Sequence, residues 1–245
     1  MDTVNAEWIK LRTLRSTWWT MGIAVFVALV LTALGAGAVI SRWDPGHAPD
    51  QAAMGIVVAV YVGVILAQLP LGMLGVMTIS GEHASGMIDA THVATPARSR
   101  VLLAKAVVLA GAAVVASLLI AVPGYLYGRV VAAEFNPSAL PGEAWPVIAG
   151  GTLMIVATTL LGLALGALLR NGAAAMAALM AIILLVPFVA RMLPGGEWGN
   201  YLLPTYPALQ LIGQVPAIMP GWVAFTVLGC WAVIPLGIAA LTGRR

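Results

Sequence analysis

Six apolar runs, at about 19–40, 54–80, 101–127, 147–169, 173–191 and 222–241, constrain this chain more than any other feature. Each is close to the roughly 20 apolar residues that an α-helix needs to cross about 30 Å of hydrocarbon. A segment inside a bilayer must satisfy its backbone hydrogen bonds within protein, so only helices and closed barrels span. Barrel strands alternate apolar and polar residues over about ten positions, and these runs do not. The rest of the chain agrees, being 61% hydrophobic and only 9% charged, where a soluble domain has roughly 25% charged residues. The expected fold is all-α: one polytopic transmembrane domain over residues 1–245 with six membrane helices. Trp18 to Ile40 exceeds the 7–15-residue apolar core of a cleavable signal, so the first run is expected to persist as a span. The single Cys230 lies in the last run, allows no intrachain disulfide and reads as a small core or lipid-facing residue.

The connections differ in kind. Arg170-Asn171-Gly172 reads as a tight polar turn with a helix-ending glycine between the fourth and fifth spans. The 192–221 segment carries Pro194, Pro204, Pro207, Pro216 and Pro220, yet it is mostly apolar. LLPTYPALQLI (202–212) is too short to span and reads as an interfacial or re-entrant helix. Trp198, Tyr201, Tyr206 and Trp222 would then sit at headgroup level.

Lysine and arginine set the expected orientation. With both termini cytoplasmic, the inner side holds Lys10, Arg12, Arg15, Arg98, Arg100, Lys105, Arg170, Arg244 and Arg245, against Arg42, Arg129 and Arg191 outside. The 81–100 loop then faces the cytoplasm and 192–221 lies outside. The net charge of +3 reflects this anchoring, and no nucleic-acid surface is expected.

No ionisable residue falls in the middle of any run, and Lys105 and Arg191 lie near span ends, where long side chains snorkel. That argues against proton- or ion-coupled transport, which needs intramembrane charge, and against most intramembrane enzymes. Only Gln68, Thr158, Thr159 and Thr226 offer polar groups at depth, so a pathway here would be apolar and suit an amphipathic or lipid-like substrate. The chain also lacks an ATPase of its own. A phosphate-binding loop needs Gly-Lys-Ser/Thr, whereas Lys10 follows Ile9 and Lys105 follows Ala104.

The polar chemistry gathers in GEHASGMIDATHVATPARSR, residues 81–100. Three readings stand. Glu82, His83, Asp89 and His92 offer zinc-type ligands, and on one helix Glu82 and Asp89 would share a face; but HExxH is absent and Gly86 weakens a single rigid helix. The stretch is otherwise a solvated loop, or a docking element over about 82–95 with Met87, Ile88 and Val93 as apolar anchors. Pro96 ends any helix there, and Arg98, Arg100 and Lys105 pin the next span at the headgroups.

An acidic residue at the foot of the second span, a short Gly-containing helix, Pro96, Arg98-Ser99-Arg100 and Leu102-Leu103-Ala104-Lys105 resemble the first cytoplasmic loop of type-2 ABC transporter permeases. AEWIKLRTLRSTWW resembles that family's amphipathic elbow helix, here about 5–18. Glu7 and Lys10 stand at pairing distance, and Trp8, Leu11, Leu14 and Trp18 form one arc, with Arg12 and Arg15 at its edge. The resemblance implies a permease, a homodimer or heterodimer in the plasma membrane. Two separately encoded ATPase subunits would bind ATP and Mg²⁺, and this chain would bind no cofactor or metal. It implies coupling to the ATPase through Glu82, His83, Met87, Ile88, Asp89, His92 and Arg98, and an elbow of Glu7, Trp8, Lys10, Leu11, Arg12 and Arg15. It also implies a pathway lined by the second and fifth spans, with Gln68, Pro70, Ala174 and Ala178 as candidates. Export of a drug, natural product, peptide or lipid is the expected activity. An integral-membrane enzyme built on the Glu/His/Asp cluster, and a non-transporting immunity or sensor protein, are the alternatives.

Overall fold

The computed structural model describes residues 2–41, 49–87, 98–134, 144–192, 201–211 and 217–242, and among them the regular elements are all helical. A short helix α1 (Asp2–Thr13) precedes α2 (Arg15–Ser41), α3 (Pro49–Ala84), α4 (Arg98–Ala133) and α5 (Ala144–Leu169). The fifth span is α6 (Gly172–Met180), a π-helical turn (Ala181–Leu185) and α7 (Val186–Met192). A short α8 (Thr205–Leu211) precedes the last span, α9 (Gly221–Thr242). Six helices are long and apolar enough to cross a membrane, and they coincide with the six runs read from the sequence.

Helix ends differ from the apolar runs for physical reasons. α3 and α4 have 36 residues each, about 54 Å at 1.5 Å per residue, well beyond the hydrocarbon thickness. Hydrogen bonding, and not hydropathy, ends a helix. α1 stops at Thr13, and Arg15 to Trp18 belong to α2, so the N-terminal helix is shorter than the 5–18 expected. α3 continues through Glu82 and His83 to Ala84 and breaks at Gly86, whose φ of 69° lies in the left-handed region open to glycine. Glu82 and His83 are therefore the last turn of the membrane helix, not the start of a separate element. Residues 88–97, including Ile88, Asp89, His92, Val93 and Pro96, lie outside the described residues.

The turn between α5 and α6 reverses the expected roles. Arg170, at φ 52°, supplies the left-handed residue, and Asn171 caps α6 by accepting from the Ala174 N–H at 3.1 Å. Gly172 opens α6 and does not end α5. A Cβ there would lie 3.1 Å from Ser80 Oγ, so the glycine serves close approach.

α3 and α5 form the inner pair of the bundle, with α2, α4 and α9 around them. Lipid tails are as apolar as side chains, so helix association in a bilayer depends on close packing and small residues. Gly75 and Gly162 meet that need. A Cβ on Gly75 would collide with the Thr159 carbonyl, and one on Gly162 with the Gly72 carbonyl. In the fifth span, Pro187 brings no N–H and its ring crowds the carbonyl four residues back. The π turn just before it lets the Val186 N–H bond to the Ala181 carbonyl instead. α8 packs on α5 and α9, burying Ala208 and Leu211 against Met154, Met219 and Leu228.

Candidate functional site

At the end of the bundle where α3 finishes and α4 begins, α1 packs against α4 and reaches the end of α3 through the Lys10 side chain. Leu11 anchors it in the core, against a cluster that includes Leu74, Leu102, Leu109 and Leu163. Of the arc read from the sequence only Leu11 is buried; Trp8, Leu14 and Trp18 are about half exposed. Trp18 turns its indole N–H onto the Arg12 carbonyl at 2.9 Å, bridging the break between α1 and α2.

Beside Leu11, four charged side chains from three helices converge. Lys105 of α4 donates to Glu7 Oε2 of α1 at 2.6 Å and to Glu82 Oε1 of α3 at 2.7 Å. Lys10 of α1 donates to Glu7 Oε1 at 3.0 Å and to Glu82 Oε1 at 3.1 Å. The side chains of Glu7, Glu82 and Lys105 are only 5–7% exposed, while that of Lys10 keeps 33%. Two carboxylates and two ammoniums cancel, which is what permits their burial: an isolated charge at such a site would face a large desolvation cost. Burial lowers the Lys10 pKa as the largest influence, but the hydrogen bonds and charges of Glu7 and Glu82 together outweigh it and hold the ammonium above its ordinary value. Glu82 Oε2 is the exception to the pairing, buried and accepting no hydrogen bond among the described residues.

The expected pairing of Glu7 with Lys10 is present, and Glu82 also reaches the N-terminal helix through Lys10. Arg12 and Arg15, at the edge of the elbow arc, are exposed and take no part. Lys105 is the residue that sequence reasoning misplaced. It does not snorkel to the headgroups but is the buried centre of the cluster. Its signal was faint: the chain has two lysines, and the structure brings both to one point.

The other candidates fall elsewhere. His83 sets Nδ1 2.9 Å from the Ile79 carbonyl of its own helix. Glu82 Oε1 is engaged by two ammoniums, and no group of three metal-ligating side chains occurs among the described residues. Met87 is exposed just beyond Gly86, and nothing is described of the Arg98 side chain. In mid-bundle, Gln68 is buried and accepts from Thr158 Oγ1 at 3.3 Å, so its oxygen serves the α3–α5 contact. α3 runs on through Pro70 without ending. α6 packs inward through Ala175 and Leu179; Ala174 faces outward and Ala178 is half-buried.

These helices and their charged end define a multi-pass helical membrane protein. The model of the ABC-2 family transporter proteins matches residues 3–188, from α1 into α7, and the chain belongs to that family. No curated protein matches it.

Proposed function

We propose that the chain is the membrane-spanning permease subunit of an ABC exporter for an amphipathic or hydrophobic substrate. It works as a dimer in the plasma membrane with both termini cytoplasmic, and a separate ATPase subunit hydrolyses the ATP. The observation that carries the reading is the charge cluster. Glu7, Lys10, Glu82 and Lys105 join α1, α3 and α4 at the foot of the cytoplasmic loop, whose 82–95 stretch is the segment proposed to dock on the ATPase. A force applied to that segment reaches the end of α3 next to Glu82. The cluster ties this end to α1, which acts as the elbow, and to α4, so the three move as one unit. α3 then carries the displacement into the bundle core through its glycine contacts with α5.

The outward Ala174 side of α6 is available to a second permease, and α8 serves as a re-entrant or interfacial element on the outer side. Membership in the transporter family supports this reading over an immunity or sensor protein. The engagement of Glu82 by two lysines tells against a metal-dependent enzyme. The test is co-expression with candidate ATPase subunits carrying a phosphate-binding loop, followed by purification through this chain. The expected result is a stoichiometric complex whose ATP hydrolysis rises with transported substrate. ATP hydrolysis of about 1 s⁻¹ or more by the purified chain alone, within the ordinary enzyme range, would overturn it.

A further inference from the structure

Between α1, the start of α2, α3 and α4 lies a cavity of about 500 Å³, next to the charge cluster. Its volume falls within the roughly 300–1,000 Å³ of small-molecule sites. The exposed lining is apolar over most of its area, with Leu11, Leu14, Leu74, Met77, Val108 and Leu109 among the walls; the hydroxyls of Thr13, Ser16, Thr17, Thr20, Thr78 and Ser85 are interspersed, and Glu7, Lys10, Glu82 and Lys105 line its charged end. An apolar chamber with one charged end matches an amphiphile, not a fully polar metabolite.

The polar end also has a defined chemical preference. Its two ammoniums and two carboxylates are paired with each other, so net charge selects neither a cation nor an anion. Within the cluster, one carboxylate oxygen is left without a donor among the described residues. Glu82 Oε1 takes both lysines, and Oε2 is buried without a donor among the described residues. Buried polar atoms are nearly always satisfied, and an ionised carboxylate oxygen is a strong acceptor. Glu82 lines the cavity, and a turn of its carboxylate is the movement that would bring Oε2 to a donor seated there.

We propose that this cavity binds an amphiphile whose polar end carries an N–H or O–H donor, a primary ammonium above all, with that donor given to Glu82 Oε2. One alkyl chain occupies the apolar walls. The second chain of a two-chain lipid stays in the bilayer. Two sources share this chemistry: an aminophospholipid of the membrane and a free single-chain amine. The site is independent of the transport reading, since binding is measured with no ATPase present.

Native mass spectrometry of the purified chain provides the test, with phosphatidylethanolamine and phosphatidylcholine of identical acyl chains as probes. The two differ in that the trimethylammonium head has no N–H to donate. The expected result is at least tenfold tighter binding of phosphatidylethanolamine. Gly81 lines the cavity, and a Cβ added there meets nothing within 4 Å, so Gly81→Phe should fold and abolish the preference. Met77→Trp is the second filling variant, should the first not express. Dodecylamine is then added as competitor, with dodecyltrimethylammonium as its donor-free control. Displacement by the amine alone assigns the site to single-chain amines as well; failure of both to displace assigns it to the bilayer lipid, and either result keeps the site. Equal binding of the two phospholipids, as when water satisfies Oε2, overturns the proposal. So does an undiminished preference in a folded cavity-filling variant.

Discussion

Lys105 Nζ lies 2.6 Å from Glu7 Oε2, joining positions 98 residues apart in the sequence at a site where both side chains are almost fully buried. The contact makes α1 part of the bundle and not a loose leader to it. Removing the ammonium should be costly. Lys105→Met leaves two buried carboxylates with one partly exposed lysine between them, and breaking a buried pair typically costs about 3–5 kcal/mol. The variant should lose on the order of 10 °C in melting temperature in detergent. Adding Glu7→Gln restores neutrality, so the double variant should melt above the single one. A Lys105→Met protein as stable as wild type would mean that the cluster does not hold the helices together.

The cluster should tolerate a wide pH range on its alkaline side. The Lys10 pKa is raised above the ordinary 10.5 in the folded chain. A group whose folded pKa exceeds its unfolded one contributes stability that is complete below the unfolded value and lost as pH rises through the folded one. Attachment of α1, followed by protease access at the α1–α2 junction, should not change between pH 7 and about 9. It should loosen only above the ordinary lysine range. Loosening already near pH 8 would contradict the raised value.

The α3–α5 contact gives a test in the bundle core. Gly162→Leu places a side chain against the Gly72 carbonyl, and backbone cannot retreat as a flexible side chain does. Overpacking typically costs about 1–3 kcal/mol, and this site should lie at or above the top of that range. Gly22→Leu is the control, since a Cβ there meets nothing within 4 Å. Comparable yields of folded protein from the two variants would refute the close approach.

The spans were legible in the sequence because length and hydropathy decide them, and membrane physics leaves few alternatives. Their ends were not. α4 extends past Tyr127 and Arg129 to Ala133 because a helix stops where its hydrogen bonds stop, not where the hydrocarbon does. The charge cluster was half legible. Glu7 and Lys10 are three residues apart on one helix, so their pairing follows from local geometry. The position of Lys105 near the end of its own run predicts snorkelling, whereas its state depends on two carboxylates brought in by chain folding. Arg12 and Arg15 are the converse: close in sequence to Lys10, they are nevertheless exposed and lie outside the cluster. The turn at Arg170–Gly172 was placed correctly and its roles were exchanged, because sequence favours glycine for left-handed backbone while Ser80 across the contact requires glycine for room.

The last prediction separates anchoring from coupling. Met87 is exposed one residue beyond Gly86, within the 82–95 segment proposed to dock on the ATPase. Interface energy concentrates in a few buried anchors, each costing about 2 kcal/mol or more when lost. Met87→Asp also buries a charge without a partner. It should weaken ATPase binding by on the order of 30-fold or more, while leaving the melting temperature of the free chain unchanged. Glu82→Gln should behave in the opposite way. Glutamine keeps an oxygen for the lysines but removes the charge that holds Lys105 and Lys10 at one point. The complex should still assemble, and substrate-stimulated ATP hydrolysis should fall several-fold while basal hydrolysis stays. The two variants therefore differ in kind: one loses the partner, the other keeps it and loses the response. A Met87→Asp complex that assembles and transports normally would remove the docking assignment. A Glu82→Gln complex with full substrate stimulation would remove the cluster from the coupling path, even if its role in stability held.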